Sequence, residues 1–425
     1  MHRRPPILAL TTALLLSACS GPNPTLSPTS AAPTASATSA PSATIAPPTA
    51  AVYAAIRSAV EAIRGLQPTA AVDPVTIDEA QLVANFTAEF DRTRTAQQVK
   101  DAEDLLIALG LLPKGSSLRA LTLDFQAGQV AGYYDPEKNE LFVVSRSGGV
   151  GPAKESTYAH EFTHQLQDQH VDLAGLGTDA VDQTDRALAR LALIEGDASS
   201  VQTAWMAANL TPKELGEVLA AALDPAAVEA LQRAPAYLRD TSLFPYQDGL
   251  AFVHRLTVTG GYPAVDAAFA DPPNSTEQVL HPDRYLKRDP PIEVVLPANL
   301  ATSVGAGWTE AAQDTLGELI LRIWLRQGGV PSVDARVATA GWGGDRLALL
   351  RGPDDALALE LLTAWDTPAD AAEFLAAANL AVANLGLNAL VRGAGSGVSI
   401  LVGDAGALEK LDEALEDQLS GPLAS

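Results

Sequence analysis

The sequence predicts an α+β fold: a mostly helical unit with a small sheet, followed by a small α+β sandwich. Three observations carry that expectation. The 425-residue chain is too long for one typical core and comfortable for two. Most of residues 53–298 places apolar side chains at three- and four-residue spacing, interrupted by one strand-like stretch near 129–145. Beyond residue 340 the order reads strand, strand, helix, strand, strand, helix. The expected limits are 1–18 for a leader, 19–52 for a tether, 53–298 for the helical unit and 299–425 for the accessory unit.

The chain begins MHRRPPILALTTALLLSACS, a basic start followed by an apolar run from Ile7 to Leu16. That run is a secretory leader, too short to span a bilayer as a mature helix. Leu16-Ser17-Ala18-Cys19 resembles the lipobox of bacterial lipoproteins, which implies lipidation of Cys19 and anchoring to the outer face of a bacterial membrane. An ordinary cleaved leader with a stray cysteine is the plainer alternative. Cys19 is the only cysteine, so no internal disulfide and no zinc–thiolate site can form in the mature chain. From Ser20 to about Ala51 the composition is Ser, Thr, Pro and Ala without charge, too poor in apolar surface to offset the entropy of ordering it. It reads as an extended tether. The net charge of −23 argues against a nucleic-acid partner, which would need clustered Lys and Arg.

AAIRSAVEAIRGL and VKDAEDLLIALGLL then read as amphipathic helices ended by Gly and Pro. QVAGYYDPEKNELFVVS (129–145) reads as a hairpin turning at Asp135–Asn139. A loop, SGGVG, leads to Pro152, suited to the first turn of a helix. That helix carries TYAHEFTHQLQDQH (157–170), and 185–210 forms a second long helix. TEAAQDTLGELILRIWLRQGG (309–329) reads as one amphipathic helix before the sandwich begins.

His160 and His164 are four residues apart, turned about 40° from each other on a helix, so both rings reach one ion. Glu161 projects beside them. This is the HExxH arrangement of zinc peptidases. A catalytic zinc takes three protein ligands and keeps a position for water. His170 has metzincin-like spacing, but Gln167 stands where the chain-reversing glycine would be. On a continuing helix His170 is turned about 240° from His164 and faces away. Glu195 lies among Leu191, Leu193 and Ile194, where a buried carboxylate needs a partner. A metal ion is one such partner, and Arg190 is another.

Residues 125–210 resemble the gluzincins, the thermolysin-like zinc peptidases, through HEFTH and the EGDA segment. The resemblance implies a zincin-like catalytic domain, Zn2+ held by His160, His164 and Glu195, Glu161 as general base, and a peptide or protein substrate. It also implies that an edge strand, ELFVVS or QVAGYY, pairs with that substrate. Where those enzymes place an Asp to orient a zinc histidine, this chain has Ser199, and Asp197 is turned away. The orienting acid is therefore missing or comes from Asp168 or Asp172. The oxyanion needs a further donor, for which His281 is the first candidate and Tyr285 the second; His254 reads as a core histidine. Two other readings remain open: a zinc hydrolase of non-peptide amides or esters, and a surface binding lipoprotein whose metal site is structural or degenerate.

Overall fold

The computed structural model describes residues 7–9, 47–71, 73–145 and 151–419. Cys19, most of the tether and most of the SGGVG loop lie outside these residues. The chain has the expected α+β architecture, with two small sheets embedded in helices.

The first sheet has the order β1-β3-β4-β2, with β1 Ile7–Ala9, β2 Pro74–Ile77, β3 Gly132–Asp135 and β4 Glu140–Val144. β3 and β4 form the expected hairpin, turning through Asn139 at φ 51°. β2 runs parallel to β4, and the leader backbone of β1 runs antiparallel along the other side of β3. β2 and the helix Glu79–Thr93 behind it were not among the expected elements. The helix Pro47–Arg64 also begins earlier than the tether limit at residue 52 implied.

Pro152 opens the motif helix, Pro152–His170, with its fixed φ and without a side-chain cap. Every residue from Ser156 to Gln167 on it is buried. This helix packs between β3, the helix Pro47–Arg64 and the 26-residue helix Thr184–Asn209, which carries Glu195. A third long helix, Ala236–Gly260, crosses the Glu195 helix at a glycine contact. A Cβ on Gly196 would lie 2.3 Å from the Gly249 carbonyl oxygen, so only glycine permits this approach. The crossing fixes the helix one residue away from Glu195.

The second sheet is antiparallel throughout, in the order β5-β6-β7-β9-β8. Its strands are β5 Thr309–Asp314, β6 Trp342–Arg351, β7 Leu357–Trp365, β8 Ala389–Ala394 and β9 Gly397–Val402. Alternate residues of β7 face opposite layers, as the two-residue period of a strand requires. Leu359 and Leu361 pack with Phe374 of the helix Pro368–Leu385, whereas Ala358 and Leu362 pack with Leu411 of the helix Ala405–Leu419. Each of the six elements expected beyond residue 340 is present.

The single helix expected over 309–329 is instead strand β5 followed by a helix over Gly317–Gln327. Gly317 has φ +75°, which ends extended pairing and starts the helix. Asp345 on β6 secures the corner by accepting from the Leu316 and Gly317 N–H groups. The largest core cluster continues across the expected limit at 298, from Leu193 and Phe252 through Trp324 to Leu359 and Phe374.

Candidate metal centre

His160 and His164 turn their Nε2 atoms toward each other, 3.1 Å apart, with their rings near perpendicular at 82°. Glu195 Oε2 lies 3.1 Å from His160 Nε2 and 3.2 Å from His164 Nε2. The three atoms therefore make a nearly equilateral triangle. A tetrahedral ion bonded at about 2.0–2.1 Å spaces its ligands about 3.3 Å apart, close to this separation. One shared proton cannot bridge all three sides, whereas one cation satisfies every corner. His160, His164 and Glu195 thus form a fully buried group able to hold a metal ion.

The unmatched atoms around the triangle support that fit. Glu195 Oε1 is buried without a hydrogen-bond partner, and both Glu161 carboxylate oxygens are buried with the Tyr134 backbone N–H as their nearby donor and no side-chain partner. Polar atoms left so cost free energy unless a ligand or water meets them. Burial acts to raise the Glu195 pKa, but His164 and His160 together outweigh it and hold the carboxyl below its usual range. Burial likewise acts to lower His164, and in the metal-free chain the Glu195 carboxylate, with Glu161 and Gln167, carries it up to about 9 instead. Glu161 behaves differently: burial pushes it well above the usual carboxylate range, with the Tyr134 backbone N–H as a counteracting donor.

Glu195 leaves Arg190 to other partners: that guanidinium donates to the Leu176 carbonyl and to Asn274. His170 is exposed, with Nε2 2.8 Å from the Gln67 carbonyl oxygen, and does not join the metal group.

His281 Nε2 lies 3.0 Å from Glu318, on the helix that follows β5, and His281 is not one of the ligand group. The Tyr285 hydroxyl donates to the Asp271 carbonyl. His254 is exposed on the far side of the buried Phe252, Val253 and Leu256, so it is not a core residue. The aromatic side chain that does reach the centre is Tyr246, buried and stacked on His160 at 6.0 Å between ring centroids.

The orienting groups also differ from the expectation. Asp168 accepts from the Tyr134 hydroxyl, and Asp172 accepts from the Gly175 N–H. Gln167, three residues after His164, approaches His164 Nδ1 at 2.8 Å. Gln202, two turns beyond Glu195, interacts favourably with the His160 ring. Both were legible only as helical spacing, since Gln167 and Gln202 repeat the i+3 and i+7 faces of their ligands.

One family model, described as Domain of unknown function (DUF8575), matches residues 303–407. That stretch lies in the second sheet and its helices, and leaves the metal centre outside. No curated protein and no solved structure matches the chain.

Proposed function

We propose that the protein is a zinc-dependent peptidase, anchored by lipid at Cys19 on the outer face of a bacterial membrane. The observation that carries the reading is Glu161, a buried carboxylate without a side-chain partner beside three converging ligand atoms. A structural zinc site takes four protein ligands and needs no neighbouring base; three converge here among the described residues. A zinc ion bound by His160, His164 and Glu195 supplies a Lewis acid and lowers the pKa of a bound water. Glu161, beside the three ligands, would be the residue that takes a proton from such a water and passes it to the leaving amine. Tyr246, stacked on His160, is a second candidate beside His281 for the donor to the substrate carbonyl.

The peptide substrate is supported by the edge of β3. β4 lies between β3 and β2, whereas β3 lies between β4 and the leader strand β1, so of the two expected strands only β3 gains an edge when the leader is lost. Gly132 on β3 lies so close to Glu161 that a Cβ there would sit 3.3 Å from its Cγ. In the full-length chain Ala9 of β1 pairs opposite Gly132, an extended backbone in antiparallel register beside the proposed base. Loss of the leader on lipidation vacates that edge for a substrate strand. The anchor is supported by the lipobox-like segment and the uncharged tether. Among the described residues no helix is long and apolar enough to cross a membrane.

The test is hydrolysis of casein and of short fluorogenic peptides by the chain that begins at Cys19, before and after a chelator and after zinc is restored. Activity lost with chelation and recovered with zinc supports the reading. Activity indifferent to chelation, or an intact zinc site that cleaves no peptide, contradicts it.

A further inference from the structure

The geometry points to Gln167, Asp197 and Arg64 as positioning residues that lock His164 with its proton on Nδ1, so that Nε2 faces the ion. The inference rests on the reading of His160, His164 and Glu195 as a metal site.

The argument begins with the Gln167 amide. Its Nε2 has two hydrogens and two acceptors, the Ile194 carbonyl and Asp197 Oδ2, each at 3.0 Å. Its Oε1 therefore faces His164 Nδ1, at 2.8 Å. Turning the amide over would oppose oxygen to two acceptors and lose those bonds, so the network fixes its orientation. An oxygen at 2.8 Å can only accept, and Nδ1 must donate. The imidazole is left with Nε2 as its coordinating nitrogen, the atom already aimed at Glu195.

Asp197 holds Gln167 only if it is itself held. Arg64 does this: its Nε lies 2.9 Å from the Asp197 carboxylate and its Nη2 2.6 Å from Asp266. Its guanidinium also lies 4.9 Å from the centre of the Tyr262 ring. Arg64 is 2% exposed and Asp197 fully buried, so this ion pair is shielded from solvent screening. Arg64 is the last residue of the helix Pro47–Arg64, the first described element after the tether. The chain thus runs from the tether-side helix through Asp197 and Gln167 to a metal ligand. His160 has a different neighbour, Gln202, whose side chain interacts with its ring.

The test uses the full-length chain with ring-labelled histidine. Zinc affinity is measured by competition with a chromogenic chelator, and the Nδ1–H proton of His164 by NMR. Wild type should show that proton protected from exchange. Gln167→Met keeps length but removes the acceptor; it should lose the protection and weaken zinc binding roughly 10- to 100-fold. Arg64→Met should weaken it less, and Arg64→Lys should restore part of the loss, which a role confined to packing would not produce. Zinc affinity within about twofold of wild type in a folded Gln167→Met would overturn the inference. If Gln167→Met does not fold, the wild-type spectrum decides, since an unprotected Nδ1 sinks the relay. A wild-type chain that binds no zinc defeats the metal reading alone, and the same Nδ1 proton still tests the relay in the metal-free chain.

Discussion

The junction with the second sheet and the metal centre both bury carboxylates, and they satisfy them in opposite ways. At the junction with the second sheet, Asp185 accepts from the Thr276 N–H and hydroxyl, and Asp314 from the Thr184 N–H and hydroxyl. Asp345 accepts from two backbone N–H groups and from the Trp342 indole. These three acids have protein donors. At the metal centre Glu195 meets only imidazole nitrogens, and no side chain hydrogen-bonds to Glu161. The first arrangement closes a joint between elements, whereas the second leaves a cation and a water to be supplied. Convergence matters as much as the missing partners. Glu360 on β7 is also buried without a partner, but it stands outside any ligand group found among the described residues. Burial pushes it up to about 8, which keeps it neutral over much of the physiological range.

The sharpest way to break this contrast is at Glu161. Glu161→Gln should keep the metal and lose hydrolysis by roughly 10²- to 10⁴-fold, the usual cost of a lost general base. Metal content and turnover measured on one preparation separate the two effects, and loss of metal would make Glu161 a ligand instead. A second variant strikes the junction. A Cβ on Gly317 would lie 1.7 Å from Asp185 Oδ1, at a φ of +75°. Gly317→Ala should therefore destabilise the fold by roughly 1–3 kcal/mol, read by denaturant unfolding, while zinc stoichiometry stays unchanged. Equal stability would mean that the joint yields without cost.

The smallest effect concerns pH. Burial raises Asp185 to about 8, Asp314 to about 7 and Asp345 to about 6. A carboxyl whose folded pKa is raised contributes stability that is complete below its unfolded value near 4 and lost as pH rises through the folded value. The junction should accordingly be tighter at pH 5 than at pH 8.5. Asp185→Asn keeps an oxygen for Thr276 and removes the titration. The difference in Tm between those pH values should narrow by roughly 2–4 °C. An undiminished difference would place the pH dependence elsewhere.

The same contrast explains what the sequence made legible. The four central residues of the metal centre were readable because helical geometry alone relates His160, Glu161 and His164, and because Glu195 sits in an apolar run. Strands β6 to β9 were readable because their two-residue alternation is local. β5 was not, since TEAAQD is rich in helix formers and pairs with β6 only through tertiary contact. The partner of His281 was not legible either: Glu318 lies 37 residues away, and no local pattern reports that contact. Asp197 was correctly read as turned from Glu195, yet it still serves the site because Gln167 carries its hydrogen bond to His164. Rotation on a helix says where a side chain starts, not which neighbour relays it.

The central claim is the identity of the third ligand, and metal content measures it most directly. Full-length wild type, Glu195→Ala and His170→Ala are each loaded with zinc, dialysed against a mild chelator and analysed for bound metal. The account predicts one zinc per chain in wild type and in His170→Ala, and nearly none in Glu195→Ala. Zinc retained by Glu195→Ala and lost from His170→Ala would contradict it.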